Sequence, residues 1–222
     1  RMGIDRMHAF LSQFGFGDRT GIDLSGELPG LLPSREWKQR VRKQAWYPGE
    51  TLIIGIGQGS FLATPLQLAV ATATMANRGH FIQPRLARAS RFPGADSASE
   101  FPLVSRQIEA IDSHQWDEVI KDMAQVVESP RGTAKRIRSP DYRIAGKTGT
   151  SQVFTIGQKE TYDASKVSER MRDHALFVAF APVEDPRIAV AVLVENGGHG
   201  GSDAAPVARR LSLIHISQGI VR

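Results

Sequence analysis

The sequence contains no cysteine, and this absence excludes several kinds of chemistry. A chain without cysteine has no disulfide, no thiolate-bound metal and no cysteine nucleophile. Long apolar runs are also missing, because no stretch approaches the roughly 18 apolar residues that a membrane-spanning helix needs. No signal peptide is recognisable at the start of the sequence, which is already amphipathic. Any targeting segment is therefore expected to lie outside this sequence.

Metal-binding patterns are equally scarce. No two histidines are four residues apart and no His-Glu-x-x-His occurs. We therefore expect neither a metal site nor a cofactor. His199, within a glycine cluster, is interpreted as a histidine of a mobile loop, with a functional role as the alternative. The histidines are His8, His80, His114, His174, His199 and His215.

The charge balance is only mildly basic. Lysine and arginine number 28 against 23 acidic residues, a net charge of +5 with a sequence pI near 9.8. The basic residues are not interleaved with aromatic ones, so nucleic acid is not an expected partner. A mild positive charge also suits a protein that works beside an anionic membrane or cell wall. The 222 residues suffice for one large domain or two small ones.

Hydrophobic periodicity predicts helices early and late in the chain. One helix is expected from about Ile4, and Ser34 and Thr64 are expected to cap two more. A fourth helix is predicted over residues 116–127 and a last one from about Ala204. Residues 46–49 are predicted to form a loop, residues 83–105 a loop with short strands, and residues 155–172 a loop with a short helix.

Three strands are predicted, at about residues 142–152, 175–182 and 187–195. Residues 182–186 form a short, proline-bounded connection that fits a hairpin. Helices followed by strands and a final helix predict an α+β fold, with an antiparallel sheet flanked by helices, and argue against alternating βαβ units.

A glycine-rich segment, Gly55-Ile56-Gly57-Gln58-Gly59, invites comparison with phosphate-binding loops. A dinucleotide fingerprint requires a third glycine at position 60, which is serine, and the Gly-Lys-Ser/Thr of a Walker loop is absent. We interpret this segment, residues 55–59, as a glycine-lined bend where backbone packs closely.

Lys147-Thr148-Gly149-Thr150 combines a cation, hydroxyl groups and a glycine at the end of a predicted strand. An ammonium group attracts a carboxylate, a hydroxyl group adds a hydrogen bond, and glycine lets a substrate backbone approach. The pattern is short, and a plain surface strand is the alternative.

The order of several motifs resembles that of the class B penicillin-binding proteins, specifically the elongation type. The resemblance covers about residues 3–210, and the tail, residues 211–222, lies outside it. Its motifs are residues 20–23 (TGID), 54–59 (IGIGQG), 63–69 (ATPLQLA), 145–153 (AGKTGTSQV), 172–182 (RDHALFVAFAP) and 194–198 (VENGG).

This resemblance implies a penicillin-binding transpeptidase or serine β-lactamase-like fold. The fold is expected to be incomplete here, since the family adds two further strands and the sequence resembles the C-terminal part of the transpeptidase domain. The implied activity is that of a peptidoglycan D,D-transpeptidase that β-lactams acylate. The implied location is the periplasmic face of the bacterial inner membrane. The expected partners are the peptidoglycan stem peptide, β-lactams and a membrane glycosyltransferase of the elongation machinery.

The resemblance also assigns roles to the four residues of the Lys-Thr-Gly-Thr motif. It implies that Lys147 and Thr148 bind the carboxylate of the donor stem peptide or of the antibiotic. It implies that Gly149 permits close approach and that the Thr150 backbone N–H is one of two oxyanion-hole donors. It gives Asp173 and His174 no role beyond support of the site.

One motif of the family is not found, and a second is not found at the position that the family gives it. The sequence has no Ser-x-x-Lys, and the family places its Ser-x-Asn or Ser-x-Asp motif just before the helix that begins here near Ile4. We therefore expect the nucleophilic serine to lie upstream. A β-lactamase, a β-lactam sensor domain and a non-catalytic wall-binding module of the same fold remain the alternatives.

The missing serine motif generates the first prediction. The 222-residue chain alone is expected to stay unlabelled when incubated with a labelled penicillin, because it lacks the nucleophile. Mass spectrometry of the incubated chain checks this, and a covalent adduct on any of its serines would contradict it.

Overall fold

The computed structural model describes residues 2–94, 96–108, 112–153 and 167–217. The chain divides into two compact units: Arg1–Thr74 with Gly79–Ala110, and Met75–Arg78 with Ile111–Arg222. Among the helices in the described ranges, none combines the length and the apolar character needed to cross a bilayer.

The first unit begins with two predicted helices. Helix α1 spans Ile4–Ser12 and helix α2 spans Arg35–Arg42. The Ser34 hydroxyl accepts a hydrogen bond from the Trp37 backbone N–H at 3.1 Å. This bond satisfies one of the free N–H groups at the start of α2, so the predicted N-cap is confirmed.

Helix α3, Pro48–Gly55, corrects the prediction of a loop at residues 46–49, because Pro48 and Gly49 are already helical. Proline at the first helical position costs no hydrogen bond, because that N–H has no partner within a helix. The Glu50 carboxylate accepts a hydrogen bond from the Tyr47 backbone N–H at 2.8 Å. The bend begins only after Gly55, where Gly57 and Gly59 adopt φ values of 73° and 77°.

Helix α4, Pro65–Ala76, has the predicted cap at Thr64. The Thr64 hydroxyl accepts from the Gln67 backbone N–H at 3.1 Å, and the Gln67 side-chain oxygen accepts from the Thr64 N–H at 2.9 Å. The buried Gln67 amide also donates to the carbonyls of Asp18 and Pro29, at 2.7 and 2.8 Å. One side chain of the TPLQLA motif therefore anchors both the helix start and the preceding loop.

Two small hairpin-like pairs complete the first unit. Strand β1, His80–Ile82, pairs antiparallel with β4, Ser105–Gln107, and β2, Ala89–Ser90, pairs with β3, Ser99–Glu100. Short strands were predicted within residues 83–105, although without this pairing.

The TGID motif connects this region to the turn-rich segment before α2. The Asp23 carboxylate accepts hydrogen bonds from the backbone N–H groups of Leu86 and Ala87, at 2.6 and 2.8 Å. These bonds hold the pKa of Asp23 below its ordinary value. Because both bonds go to the charged form, the exposed aspartate serves as a fixed attachment point for the loop.

The second unit contains the sheet. Strand β5, Ala145–Ser151, pairs antiparallel with β6, His174–Ala181, which pairs antiparallel with β7, Ile188–Val194. This arrangement confirms the predicted α+β fold with an antiparallel sheet, although β5 begins at Ala145 and not at residue 142. Within the described ranges, β5 has a strand only on its β6 side, so it forms one edge of this sheet.

Helices cover the sheet on both faces. Helix α5, Ser113–Glu128, begins earlier than predicted because Asp112 caps it, accepting from the Gln115 N–H at 2.9 Å. Helix α6, Ala205–Ser217, follows one turn of π-helix, Gly200–Ala204, near the predicted start.

The alternation of side chains along β6 builds two apolar clusters. Phe177 is fully buried and packs with Ala205 and Ala208 of α6. Phe180 points to the opposite face and packs with Ile120 and Ala124 of α5. Each buried phenylalanine contributes about 2–3 kcal/mol of hydrophobic stabilisation, so the central strand is held from both sides.

The second prediction concerns a partly buried ion pair in the first unit. The Lys38 ammonium group, whose side chain is 5% exposed, lies 2.6 Å from the Glu50 carboxylate. Replacing Glu50 with alanine leaves this buried cation and the Tyr47 N–H without their acceptor. We expect a loss of about 2 kcal/mol in the free energy of unfolding, measured with urea. Glu100→Ala, which breaks the exposed pair with Arg88, is the control and is expected to cost less than about 0.5 kcal/mol.

The pH dependence of this effect gives a second readout. Burial raises the pKa of Glu50, but the hydrogen bonds from Lys38 and Tyr47, with the Lys38 charge, outweigh it and hold the pKa below its ordinary value of 4.5. The stabilisation is therefore fully present above that ordinary value and is lost as the pH falls through the lowered pKa. Equal stability losses for Glu50→Ala and Glu100→Ala at neutral pH would contradict the prediction.

Candidate substrate-binding site

Strand β5 carries the Lys-Thr-Gly-Thr motif on the edge of the sheet. Lys147 is exposed, and its ammonium group donates a hydrogen bond to the Thr148 carbonyl at 2.6 Å. Gly149 lies opposite Leu176 in β6, and a Cβ on Gly149 would approach the Leu176 Cβ to 3.3 Å. The glycine therefore removes bulk at the centre of the motif, where two hydroxyl-bearing residues flank it.

An open pocket with a volume of about 410 Å³ lies along this strand. Hydroxyl groups and glycine backbone dominate its lining, so a polar ligand meets hydrogen-bonding groups on several sides. The lining residues are Thr133, Arg136, Thr148, Gly149, Thr150, His199, Gly200, Gly201 and Ser202.

One wall of the pocket comes from the segment that follows α5. A Cβ on Gly132 would overlap the Val126 carbonyl oxygen, which also accepts from the Ala134 N–H at 3.0 Å. Glycine at this position thus lets the chain turn back tightly against the end of α5. The turn brings the Thr133 hydroxyl oxygen to 2.9 Å from the Thr148 hydroxyl oxygen.

The opposite wall is the glycine turn, residues 197–201, whose last two residues begin the π-helical turn Gly200–Ala204. A Cβ on Gly200 would overlap the Leu176 carbonyl oxygen and come within 2.7 Å of the Gly149 carbonyl oxygen. A Cβ on Gly201 would overlap the Thr133 carbonyl oxygen. Only residues without a side chain can pack this closely against the sheet, so the two glycines fix the position of the turn.

The segment around Asp173 and His174 holds the base of the same turn. The His174 Nδ1 atom accepts a hydrogen bond from the Asn196 backbone N–H at 2.9 Å. The Asn196 amide donates to the Arg172 carbonyl at 2.9 Å, and the Gly198 N–H donates to the Asp173 carbonyl at 2.9 Å. The RDH and ENGG motifs therefore meet, and their contacts are structural ones.

Comparison with known proteins gives these motifs a family. Residues 1–213 match the family described as the penicillin binding protein transpeptidase domain. This chain belongs to the penicillin-binding transpeptidase family. The family predicted from the motif order is thereby confirmed, and the match extends slightly beyond residue 210, into the tail.

Individual relatives agree with this assignment. The chain is 48% identical to the peptidoglycan D,D-transpeptidase MrdA of Acinetobacter baumannii over 204 aligned residues. The alignment covers 92% of this chain and 30% of that relative. It is similar to a solved structure of Pseudomonas aeruginosa PBP2 in complex with WCK 5153, with a TM-score of 0.78 and 48% identity over 95% of the chain and 42% of that structure. A complex of PBP2 and MreC from Helicobacter pylori gives a TM-score of 0.78 at 31% identity, over 99% of the chain and 37% of that structure. The chain spans about a third of the length of the curated relatives it matches.

The pocket along β5 collects some predicted residues and adds others. Thr148, Gly149 and Thr150 line one pocket, whereas Lys147 is not among the described residues of its lining. His199, interpreted from sequence as a loop histidine, also lines it. Thr133 and Arg136 were not predicted, because no spacing rule relates them to β5. In the sequence, the one indication of a tight turn here is Gly132, which follows the proline-containing break and directly precedes Thr133.

No metal site accompanies this pocket in the described residues, where no three histidine, aspartate or glutamate side chains are grouped for a metal ion. Within those ranges, the lining offers hydroxyl groups, backbone, one imidazole and one guanidinium group. Such a set binds anions and polar groups by hydrogen bonding and charge.

The close approach of Gly200 generates the third prediction. Gly200→Ala forces the turn away from Leu176 and Gly149, because the new Cβ overlaps backbone atoms that cannot move independently. We expect a loss of about 2 kcal/mol or more in the free energy of unfolding. Gly49→Ala is the control, because a Cβ there has no atom within 4 Å, and it is expected to change stability by less than about 0.5 kcal/mol. Indistinguishable urea midpoints for the two variants would refute the packing argument.

Proposed function

We propose that the protein containing this chain is a peptidoglycan D,D-transpeptidase of the elongation machinery. The pocket along β5, lined by Thr148, Gly149 and Thr150, is the observation that carries the proposal. The family match and the MrdA relative support it, because both are described by this reaction or by penicillin binding.

The proposed task of the β5 edge is to hold the terminal carboxylate of the donor stem peptide, or the equivalent carboxylate of a β-lactam. The Thr148 hydroxyl donates a hydrogen bond to this carboxylate. The Lys147 ammonium group, which donates to the Thr148 carbonyl, contributes positive charge from the exposed edge of the strand. A carboxylate fixed in this way sets the position of the scissile bond relative to the strand.

Acyl transfer also requires stabilisation of the negative charge that develops on the carbonyl oxygen of the substrate. We assign one donor of this oxyanion hole to the Thr150 backbone N–H. Removal of one such donor in acyl-transfer enzymes costs about 3–4 kcal/mol of transition-state stabilisation. Gly149 keeps the space before this donor open, since it has no side chain. The nucleophilic serine is assigned to the part of the transpeptidase domain outside these residues.

The proposed partners follow from the same chemistry and from the relatives. The peptidoglycan stem peptide and β-lactams are the carboxylate-bearing ligands. A membrane glycosyltransferase of the elongation machinery is the proposed protein partner, and the complex of Helicobacter pylori PBP2 with MreC supports a place in a larger assembly. We propose the periplasmic face of the inner membrane as the location, because the substrate lies there.

The alternatives differ in the fate of the acylated serine. A transpeptidase holds the β-lactam acyl group for a long time, whereas a β-lactamase hydrolyses it quickly and turns over. A non-catalytic module is not acylated. The name of the MrdA relative favours the transpeptidase.

Acylation by a fluorescent penicillin tests the proposal on the full-length protein. We expect a persistent covalent adduct on the wild type. We expect the second-order acylation rate constant to fall about tenfold to a hundredfold in Lys147→Gln and in Thr148→Val, because each removes one interaction with the carboxylate. Lys121→Gln is the matched control, since Lys121 is an exposed lysine on α5 of the same unit, and its rate is expected to be unchanged.

Three outcomes would count against the proposal. A wild type that is not acylated favours the non-catalytic module. Rapid hydrolysis of penicillin with turnover favours the β-lactamase. Wild-type acylation rates in both Lys147→Gln and Thr148→Val would remove the β5 edge from the carboxylate site.

A further inference from the structure

In this pocket, a carboxylate bound by Thr148 would also lie near lining residues that are outside the Lys-Thr-Gly motif. Arg136 lines the same pocket and, among the described lining residues, is the one with a permanent charge. Lys147 is outside that lining and donates to the Thr148 carbonyl. The permanent positive charge of the pocket therefore comes from a segment that the motif does not include.

The backbone that carries Arg136 is held firmly. Arg136 lies in a short 3₁₀ turn, Lys135–Ile137, between two fully buried residues, Ala134 and Ile137. Both belong to the apolar cluster beneath the sheet. The guanidinium group thus extends from a fixed base, while its own side chain is exposed.

The cations beside Arg136 are engaged elsewhere. The Lys135 ammonium group donates to the Pro130 carbonyl at 2.9 Å, and Arg138 forms an ion pair with Glu128 at 2.9 Å. Within the described ranges, Arg136 forms no ion pair or hydrogen bond with another side chain. Its five N–H donors are available to a ligand, and a guanidinium group matches the two oxygens of a carboxylate.

The hydroxyl pair beside it adds a donor. The hydroxyl oxygens of Thr133 and Thr148 are 2.9 Å apart, and either can be the donor. Each hydroxyl carries one proton, so only one proton lies between the two oxygens and the other hydroxyl can donate to a ligand. The pair therefore presents a donor to the pocket whichever way the shared hydrogen bond points.

We propose that Arg136, beside the Thr133–Thr148 hydroxyl pair, is a further binding residue for the ligand carboxylate, outside the Lys-Thr-Gly-Thr motif. The inference rests on the proposed function and specifies which residues of the site recognise the anion. Arg136 acts as a binding residue, and Thr133 as a residue that positions and polarises the Thr148 hydroxyl.

The test compares a charged ligand with its neutral counterpart on the full-length protein. Acylation rate constants are measured for benzylpenicillin and for its methyl ester, with wild type, Arg136→Gln and Arg136→Lys. We expect Arg136→Gln to slow acylation by benzylpenicillin about tenfold to a hundredfold and to leave the rate with the ester nearly unchanged. Arg136→Lys is expected to restore part of the rate, because it keeps the charge and loses the bidentate geometry.

Lys135→Gln is the matched control. It also removes one positive charge, from the residue next to Arg136, and the Lys135 side chain lies outside the described pocket lining. Its rate with benzylpenicillin is expected to stay within about twofold of wild type, since exposed charges are screened by water and salt. Urea unfolding of each variant verifies that the fold is intact.

Each other outcome overturns the inference. An unchanged rate in Arg136→Gln removes Arg136 from the subsite. An equal loss with the acid and the ester shows a structural effect and not carboxylate recognition. An equal loss in Lys135→Gln shows a general charge effect. A wild type that benzylpenicillin does not acylate overturns the proposed function itself, and the inference with it, so the two failures are distinguishable.

Discussion

The candidate site depends on a few glycines whose backbone packs directly against the backbone of neighbouring segments. Gly200 packs so closely over the β5–β6 pair that a single Cβ would overlap the Leu176 carbonyl, and Gly201 packs in the same way against the Thr133 carbonyl. Three separate segments, the turn after α5, the strand β5 and the start of the last helix, are brought together by these contacts. The pocket is the space left beside them, so its shape follows from where side chains are absent.

The motifs that carry the family resemblance have different tasks in the structure. Gln67 of the TPLQLA motif and Asp23 of the TGID motif anchor loops of the first unit through backbone groups. His174 and Asn196 fix the base of the glycine turn. The Lys-Thr-Gly-Thr strand instead presents Thr148, Gly149 and Thr150 to the pocket along β5. The motifs that carry the family resemblance therefore divide between anchoring loops and lining the candidate site.

Much of the fold was predictable because it is encoded locally. Ser34 and Thr64 cap helices through bonds to residues three positions away, and β6 and β7 are continuous apolar strands. Helix α3 was missed because Pro48 and Gly49 are typical of loops, whereas the Glu50 carboxylate and the tolerance of proline at a helix start override that preference. The site was predictable only along β5. Thr133, Arg136 and the contact role of Gly200 depend on tertiary packing between segments far apart in the chain, and no spacing rule encodes such a contact. Residues 154–166, most of the predicted loop at 155–172, lie outside the described residues, although a 3₁₀ turn is present at Glu169–Met171.

The central claim is that the pocket between β5 and the glycine turn holds a substrate carboxylate. A crystal structure of the full-length protein acylated by a penicillin tests it most directly. We expect the penicillin carboxylate to lie within hydrogen-bond distance, about 2.7–3.2 Å, of the Thr148 hydroxyl oxygen and on the side of Arg136. An acylated serine whose antibiotic carboxylate points away from Thr148, with this pocket filled only by solvent, would contradict it.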